Sequence, residues 1–245
     1  MLHCIPLLAS GSVTGELVLT RDVTDVRRLN RVVLSKDQAI QEVHHRVKNN
    51  LQTISSLLRL QARRSPESAF ELLEAERRVR AIAIVHEVLS REPGENVDFA
   101  DIVVALVAMA EDLVLAPLTV EFSVTGGLGV LGTDVATPLA VALAELLTNA
   151  VEHAFSDVDD LRGEFVGVVT LNLWQEDAHA IAEIRDNGRG LGEGFSLEVP
   201  TSLGLSIVRD LIRAQLYGEI EMNSLAPDEG GGTYVRVSVP LSARL

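Results

Sequence analysis

Apolar residues recur at Ile40, Val43, Val47, Leu51, Ile54 and Leu58, in steps of three and four that mark one face of an amphipathic helix. The opposite face carries His45, Lys48, Asn49, Gln52 and Ser56 at the same spacing. His45 therefore points away from the apolar seam, and His44 lies one position closer to it. The seam extends upstream through Leu29 and Val33 at roughly heptad spacing, which predicts a long helix from Val26 paired with its twin in a dimer. Pro66 breaks it, and Ser65 stands where it can cap a new helix. A second helix is predicted over 66–90, with Leu72, Val79, Ile82 and Leu89 on one face. Two antiparallel helices joined by a short loop make a hairpin, and two hairpins make a four-helix bundle. His86 falls in the apolar stretch of the second helix and reads as structural.

Before the helices, residues 2–8 and 16–20 read as two strands about a turn at Ser10-Gly11-Ser12. After them, Arg91-Glu92-Pro93-Gly94-Glu95-Asn96 is the sharpest break in the chain. The texture then changes. A helix is predicted over 99–115, a strand over 118–124, and a long helix over 133–154 starting at Asp134 with proline in its first turn. Strands follow over 166–175 and 179–185, a helix over 203–216, and strands over 219–223 and 233–240. Helices grouped with a largely antiparallel sheet predict an α+β fold, a two-layer sandwich behind the helical hairpin. The expected boundaries are 1–27, 28–92 and 97–245.

Composition narrows the classes. Hydrophobic content of 47% and charged content of 23% are ordinary for a globular protein, and no run approaches the roughly 18 apolar residues of a membrane span. The first six residues lack a signal peptide's basic start and apolar core. One cysteine makes neither an internal disulfide nor, by itself, a zinc site, which fits a cytoplasmic location. A net charge of −14 argues against direct nucleic-acid binding. Yet residues 44–64 hold five Arg or Lys and no Asp or Glu. Such a helix serves phosphate chemistry or an acidic partner, or is simply a solvated basic face.

Four short patterns in the second half carry candidate chemistry. Glu145 and Asn149 are four apart on the long helix, so their oxygens share a face, and Mg²⁺ takes a few such oxygens together with phosphates and water. Asp186-Asn187-Gly188-Arg189-Gly190 ends a strand; its glycines admit a ligand and its carboxylate accepts from an exocyclic amine, although Asn-Gly is also a plain hairpin turn. Ser202-Leu203-Gly204-Leu205 opens the last helix, whose free N–H groups favour phosphate. Gly230-Gly231-Gly232-Thr233 precedes the final strand and reads as either a loop of the same site or a mere turn.

The string His45-Arg46-Val47-Lys48-Asn49-Asn50-Leu51-Gln52 resembles the phosphoacceptor motif of a subclass of sensor histidine kinases in which arginine, not an acidic residue, follows the histidine. The likeness continues through Ser55-Ser56-Leu57-Leu58, Gln61-Ala62-Arg63 and residues 78–87. The four later patterns, in order, resemble the nucleotide boxes of the GHKL ATP-binding fold shared by histidine kinases, gyrase, Hsp90 and MutL. The resemblance implies autophosphorylation of His45 by ATP and passage of the phosphoryl group to an aspartate of a response-regulator receiver. Glu42 would orient or deprotonate His45, and Lys48 or Arg46 would steady the transferring charge. Asn149 and Glu145 would hold Mg²⁺ and Asp186 the adenine amine, with His153, Gly188, Gly190, Leu191, Gly204, Leu205 and Thr233 around the nucleotide. Two departures stand out: the second glycine box is one glycine short, and the brief loop from Leu191 to Ser202 holds no phenylalanine-box helix, although Phe195 is present. Arg21-Asp22-Val23-Thr24-Asp25 resembles the exit of a PAS sensor domain, so the first hairpin is expected to be the end of one; otherwise it packs on the helices. Rival readings are an ATP-binding scaffold without kinase chemistry and a GHKL anti-sigma serine kinase, which would have no use for residues 42–64.

Overall fold

The computed structural model describes residues 2–9, 12–20, 24–90, 96–114, 118–155, 166–192, 194–198, 202–226 and 230–241, with side chains from Glu42 onward. The expected turn at Ser10-Gly11, the Arg21-Asp22-Val23 exit and the linker over 91–95 lie outside these residues. Among the described residues, strands β1 (Leu2–Ala9) and β2 (Ser12–Thr20) pair only with each other, antiparallel.

Helix α1 (Thr24–Arg64) is continuous over 41 residues. It stops where proline forbids another turn: the Ser65 amide bonds back to the Gln61 carbonyl at 2.9 Å, and a 3₁₀ turn over Pro66–Ser68 reverses the chain into α2 (Ala69–Leu89). The expected Ser65 side-chain cap does not form; the Ser68 amide bonds the Ser65 carbonyl at 3.1 Å instead.

The α1 face that meets α2 follows the predicted seam only in part: Val47, Leu51 and Leu58 are half-buried. His44, Lys48, Ser55 and Arg59 bond across to α2 and Ala62 is buried, while Val43 and Ile54 stay 57% and 44% exposed. The cause is polar: α2 presents Glu76 and Glu87, which recruit the basic and hydroxyl side chains of α1. Helix α2 is covered on its other side as well, by α3 (Phe99–Glu111) and α4 (Thr133–Glu152), so Ala81, Val85 and Leu89 are fully buried.

Two strands too short to show a period of two escaped the sequence reading: β3 (Asn96–Asp98) pairs antiparallel with β5 (Val130–Gly132). Asp98 caps α3, accepting the Ala100 N–H at 3.0 Å. Helix α4 starts at Thr133 behind Gly132, and Pro138 sits inside it rather than in the first turn, leaving the Asp134 carbonyl without its usual donor. Contrary to expectation, α4 is long and apolar enough to cross a membrane by length and composition, but 78% of its apolar window is buried within the protein. It is the core helix of the domain.

Strands β4 (Thr119–Gly126), β6 (Val166–Glu176), β7 (His179–Asp186), β8 (Glu219–Ser224) and β9 (Thr233–Pro240) form a sheet in the order β4-β6-β7-β9-β8. Only the β4–β6 pair is parallel. Alternation puts Val169, Leu171 and Leu173 of β6, Ala180, Ala182 and Ile184 of β7, and Val235, Val237 and Val239 of β9 on the face packed under the helices. Helix α5 (Leu203–Asp210) continues into a π-helical turn over Leu211–Gln215 and completes the helical layer. The architecture is α+β, a helical hairpin joined to a two-layer sandwich.

Candidate functional site

The inward series of β7 runs Ala180, Ala182, Ile184 and then Asp186, so strand alternation places a carboxylate where the core expects an apolar side chain. Burial pushes the Asp186 carboxyl above the ordinary range. Its Oδ1 accepts the Gly188 N–H at 2.9 Å and the Thr233 N–H at 3.1 Å, which oppose the shift without cancelling it. Thr233 opens the inward series of β9, beside Asp186 at the end of the β7–β9 register.

The loop after β7 is clamped to the C-terminal end of α4. A Cβ at Gly188 would lie 2.4 Å from both the Ala154 methyl and the Ala154 carbonyl oxygen, so no larger residue fits. The Arg189 N–H donates to that same carbonyl at 3.0 Å. Gly190 has φ +76°, and the Leu191 N–H donates to Ser224 Oγ of β8 at 2.9 Å. Gly232, at φ +87°, lies hard against the Asp186 carbonyl. His153 stands exposed at the end of α4, its N–H on the Asn149 carbonyl at 3.0 Å.

Further along α4, Glu145 is 5% exposed and its carboxyl is pushed up by burial, against the pull of Arg78. Asn149 carries the single buried side-chain polar atom without a hydrogen-bond partner among the described residues, its Nδ2. An unmet buried amide is costly, about 1–3 kcal/mol, unless a ligand or water meets it. Opposite stands the start of α5, where Ser202 Oγ accepts the Leu205 N–H at 3.3 Å. A Cβ at Gly204 would fall 2.6 Å from Glu145 Oε2. The pieces thus converge: Gly204 lies against Glu145, Gly188 against Ala154 just past the end of α4, and Thr233 against Asp186, with the orphaned amide of Asn149 between Glu145 and Ala154 along the chain. A buried acceptor for an amine, an unmet amide beside a carboxylate, and a capped helix start fit a nucleotide with a divalent cation. The loop before α5 is tied down by Glu198, which takes Arg213 at 2.7 Å through its carboxylate and Arg209 at 3.1 Å through its carbonyl.

The histidine face lies on α1. His45 is exposed, while His44 turns into the hairpin with Nδ1 3.0 Å from Nδ1 of His86. Burial and the neighbouring His44 lower the His86 pKa. Glu42 pairs at 2.7 Å with Arg46, not with His45, and Lys48 reaches Glu87 at 3.2 Å. Lys48 and Arg59 thus meet carboxylates of α2, and Arg46 meets one on its own helix.

Sequence reasoning gave no role to Arg77, Arg78 or Glu152, which with Glu145 join hairpin and sandwich. Arg78 of α2 grips Glu145 through Nε at 2.9 Å and Nη2 at 3.3 Å, and Arg77 grips Glu152 at 2.9 and 3.3 Å. Their partners lie 67 and 75 residues away, beyond any local pattern. Ser224 was missed for the same reason.

Residues 42–114 match the HisKA_2 histidine kinase family, and residues 134–243 match the family of histidine kinase-, DNA gyrase B- and HSP90-like ATPases. The whole chain aligns with the sensor histidine kinase PdtaS of Mycolicibacterium smegmatis at 44% identity and with PdtaS of Mycobacterium tuberculosis at 41%, spanning 48% of each relative's length. Blue-light-activated histidine kinase 2 of Erythrobacter litoralis is 26% identical over 84% of the chain and 58% of its own length. The solved structure of the Erythrobacter litoralis EL346 blue-light-activated histidine kinase shares the fold, with a TM-score of 0.60 at 24% identity over 93% of this chain and 64% of that one. The chain carries a HisKA_2 histidine kinase region joined to a histidine kinase-, gyrase- and HSP90-like ATPase domain.

Proposed function

We propose that this chain is the kinase part of a two-component sensor, that ATP is its substrate, and that His45 is its phosphoacceptor. The observation that carries the reading is the division of labour between adjacent histidines: His44 is held against His86, whereas His45 faces solvent with no packing to obstruct attack. A neutral imidazole nitrogen attacks the γ-phosphorus of ATP; a P–N bond forms, the bond to the bridging oxygen breaks, and ADP leaves. Asp186 accepts the adenine amine, and Gly188, Gly190 and Leu191 wall the base. The start of α5, at Gly204 and Leu205, faces the phosphates, and His153 and Thr233 frame the pocket. Asn149 and Glu145 are the residues that would hold Mg²⁺, which supplies neutralising charge to the phosphates. Arg46 and Lys48 flank His45, but each already has a carboxylate partner, Glu42 and Glu87.

The phosphoryl group then passes to an aspartate of a response-regulator receiver docked on the hairpin. The hairpin also pairs with a second copy, and the module works in the cytoplasm without contacting nucleic acid. The β1–β2 pair preceding α1 supports a PAS-like sensor ending near residue 27.

The test is incubation with γ-labelled ATP and Mg²⁺, beside His45→Ala. Acid-labile label on the unmodified chain and none on the variant is the expected result. Label persisting on the variant would move the acceptor to another histidine, and ATP binding without label would favour the scaffold reading.

A further inference from the structure

Transfer from ATP requires the attacking nitrogen to come within roughly 3–3.5 Å of the phosphorus. The hairpin provides a ruler for that distance. His44 meets His86 and Lys48 meets Glu87, so His45 is level with the far end of α2. The ATP-binding domain grips α2 at Arg77 and Arg78 instead. Arg78 and Glu87 are nine residues apart, which at 1.5 Å per residue is about 13 Å along the axis. The phosphate end of the site, at Glu145, Asn149 and Gly204, is thus held more than two turns short of the phosphoacceptor.

The grip is built to hold. Arg78 is 14% exposed, Glu145 6% and Arg77 12%, unlike the open Glu42–Arg46 pair at 60% and 74%. Both arginines bind their carboxylates through two nitrogens each, the strong and orienting geometry. Arg78 also takes Glu74 at 3.5 Å and reaches within 3.8 Å of where a Cβ at Gly204 would stand, so its guanidinium lies at the start of α5. There it occupies both oxygens of the carboxylate that the cation would need.

We propose that Arg77–Glu152 and Arg78–Glu145 form an interdomain latch that parks the ATP-binding domain away from His45, and that binding of Mg²⁺–ATP competes with it. The proposal rests on the ATP-site reading above and names the regulation of that site. Because linkage is reciprocal, weakening the latch tightens Mg²⁺–ATP binding as well as freeing the domain to reach His45, on its own hairpin or on a partner's.

Arg78 is a poor place to test this, since removing it strands a buried carboxylate and threatens the fold. Arg77 is better, because Glu152 is 28% exposed and is not among the residues assigned to the nucleotide or the cation. The experiment compares the full chain with Arg77→Glu, Glu152→Arg and the double charge swap. Mg²⁺–ATP affinity and the rate of acid-labile labelling are measured, with thermal melts as a fold control. Each single reversal is expected to tighten Mg²⁺–ATP and to speed labelling about fivefold or more, and the swap to return both towards the parent values. Single variants that melt like the parent yet bind and label no better, or worse, would overturn the latch. So would a swap that fails to restore the parent behaviour. If the parent binds Mg²⁺–ATP but never labels His45, the kinase reading fails, while the affinities still judge the latch. If it binds no nucleotide, both fail.

Discussion

At the scale of single residues, Asp186 shows what a binding site costs its fold. Its carboxyl is 7% exposed, and burial raises its pKa. A group whose folded pKa is raised favours the folded state below its unfolded pKa, and that contribution is lost as pH rises through the folded value. Above the ordinary carboxylate range the buried Asp186 carboxyl therefore costs the fold stability. Asp186→Asn keeps an oxygen for the Gly188 and Thr233 N–H groups, removes the charge, and turns an acceptor for adenine into a partial donor. The expected result is a melting temperature at pH 7 equal to or a few degrees above the parent, an advantage that shrinks as pH falls towards the ordinary carboxylate range near 4. Nucleotide affinity should drop by about 100-fold or more, for a buried hydrogen-bond pair replaced by a mismatch. An unchanged affinity would remove Asp186 from the base pocket. Asp186 was legible in the sequence because an aspartate closing an apolar alternation before two glycines has few structural uses. Arg78 was not, because a guanidinium on a helix reads as solvated until its partner, 67 residues on, is brought to it.

At the scale of elements, the sequence pattern located each α-helix and each strand of four or more among the described residues, with ends shifted by up to a few positions, and it misjudged in part how they turn towards each other. The α1 seam was read from its apolar residues, and Val47, Leu51 and Leu58 are half-buried as that reading requires, yet Val43 and Ile54 are exposed and His44, Lys48, Ser55 and Arg59 make the polar contacts to α2. Apolarity marks which faces avoid water; it does not say which of two faces a neighbouring helix with its own carboxylates will choose. Pro138 misled in the opposite way, since a proline near a helix start reads as its first turn, while here it lies inside α4, where it removes a backbone donor. The polar hairpin interface has a pH consequence. His86 has a lowered pKa and faces His44 across the interface, with Lys48 and Glu87 paired beside them. The unfolded chain takes up this proton below about pH 6.5 and the folded chain resists it, so stability falls as pH drops below that value. The His86 contribution should therefore lower melting temperature between pH 7.5 and pH 5.5, against the gain that the raised Asp186 and Glu145 pKa values give as pH falls, and the comparison with a His86 variant isolates it. His86→Gln, which keeps a hydrogen-bonding side chain without the titration, should lack that loss. Parallel changes in the two proteins would show that the histidine contact carries no pH dependence.

At the scale of the whole molecule, the partly turned seam leaves apolar side chains on the outside of the hairpin. Ile54 and Leu57 of α1 are 44% and 55% exposed, and Phe70 and Leu73 of α2 are 57% and 38% exposed, each pair three residues apart on its helix. The antiparallel pairing of Ser55 and Arg59 with Glu76 puts both pairs towards the loop end of the hairpin. A second copy packed there in two-fold symmetry would cover eight such half-exposed side chains, each contributing about 1 kcal/mol. That gain is of the same order as the association cost of about 4–15 kcal/mol, so a dimer formed through this face alone depends on protein concentration. Ile54→Glu with Leu57→Glu tests it cleanly. Both side chains already meet water, so the substitutions should shift folding stability by no more than about 0.5 kcal/mol each, whereas four new charges at the two-fold contact repel and must be desolvated. Sedimentation velocity across a concentration series should show the parent moving from monomer to dimer and the double variant staying monomeric with an unchanged melt. A parent that stays monomeric throughout, or a variant that dimerises as well as the parent, would assign this face to something other than a second hairpin. Labelling at concentrations on either side of the parent's transition then separates transfer within one chain from transfer between two, because only the latter accelerates when the dimer forms.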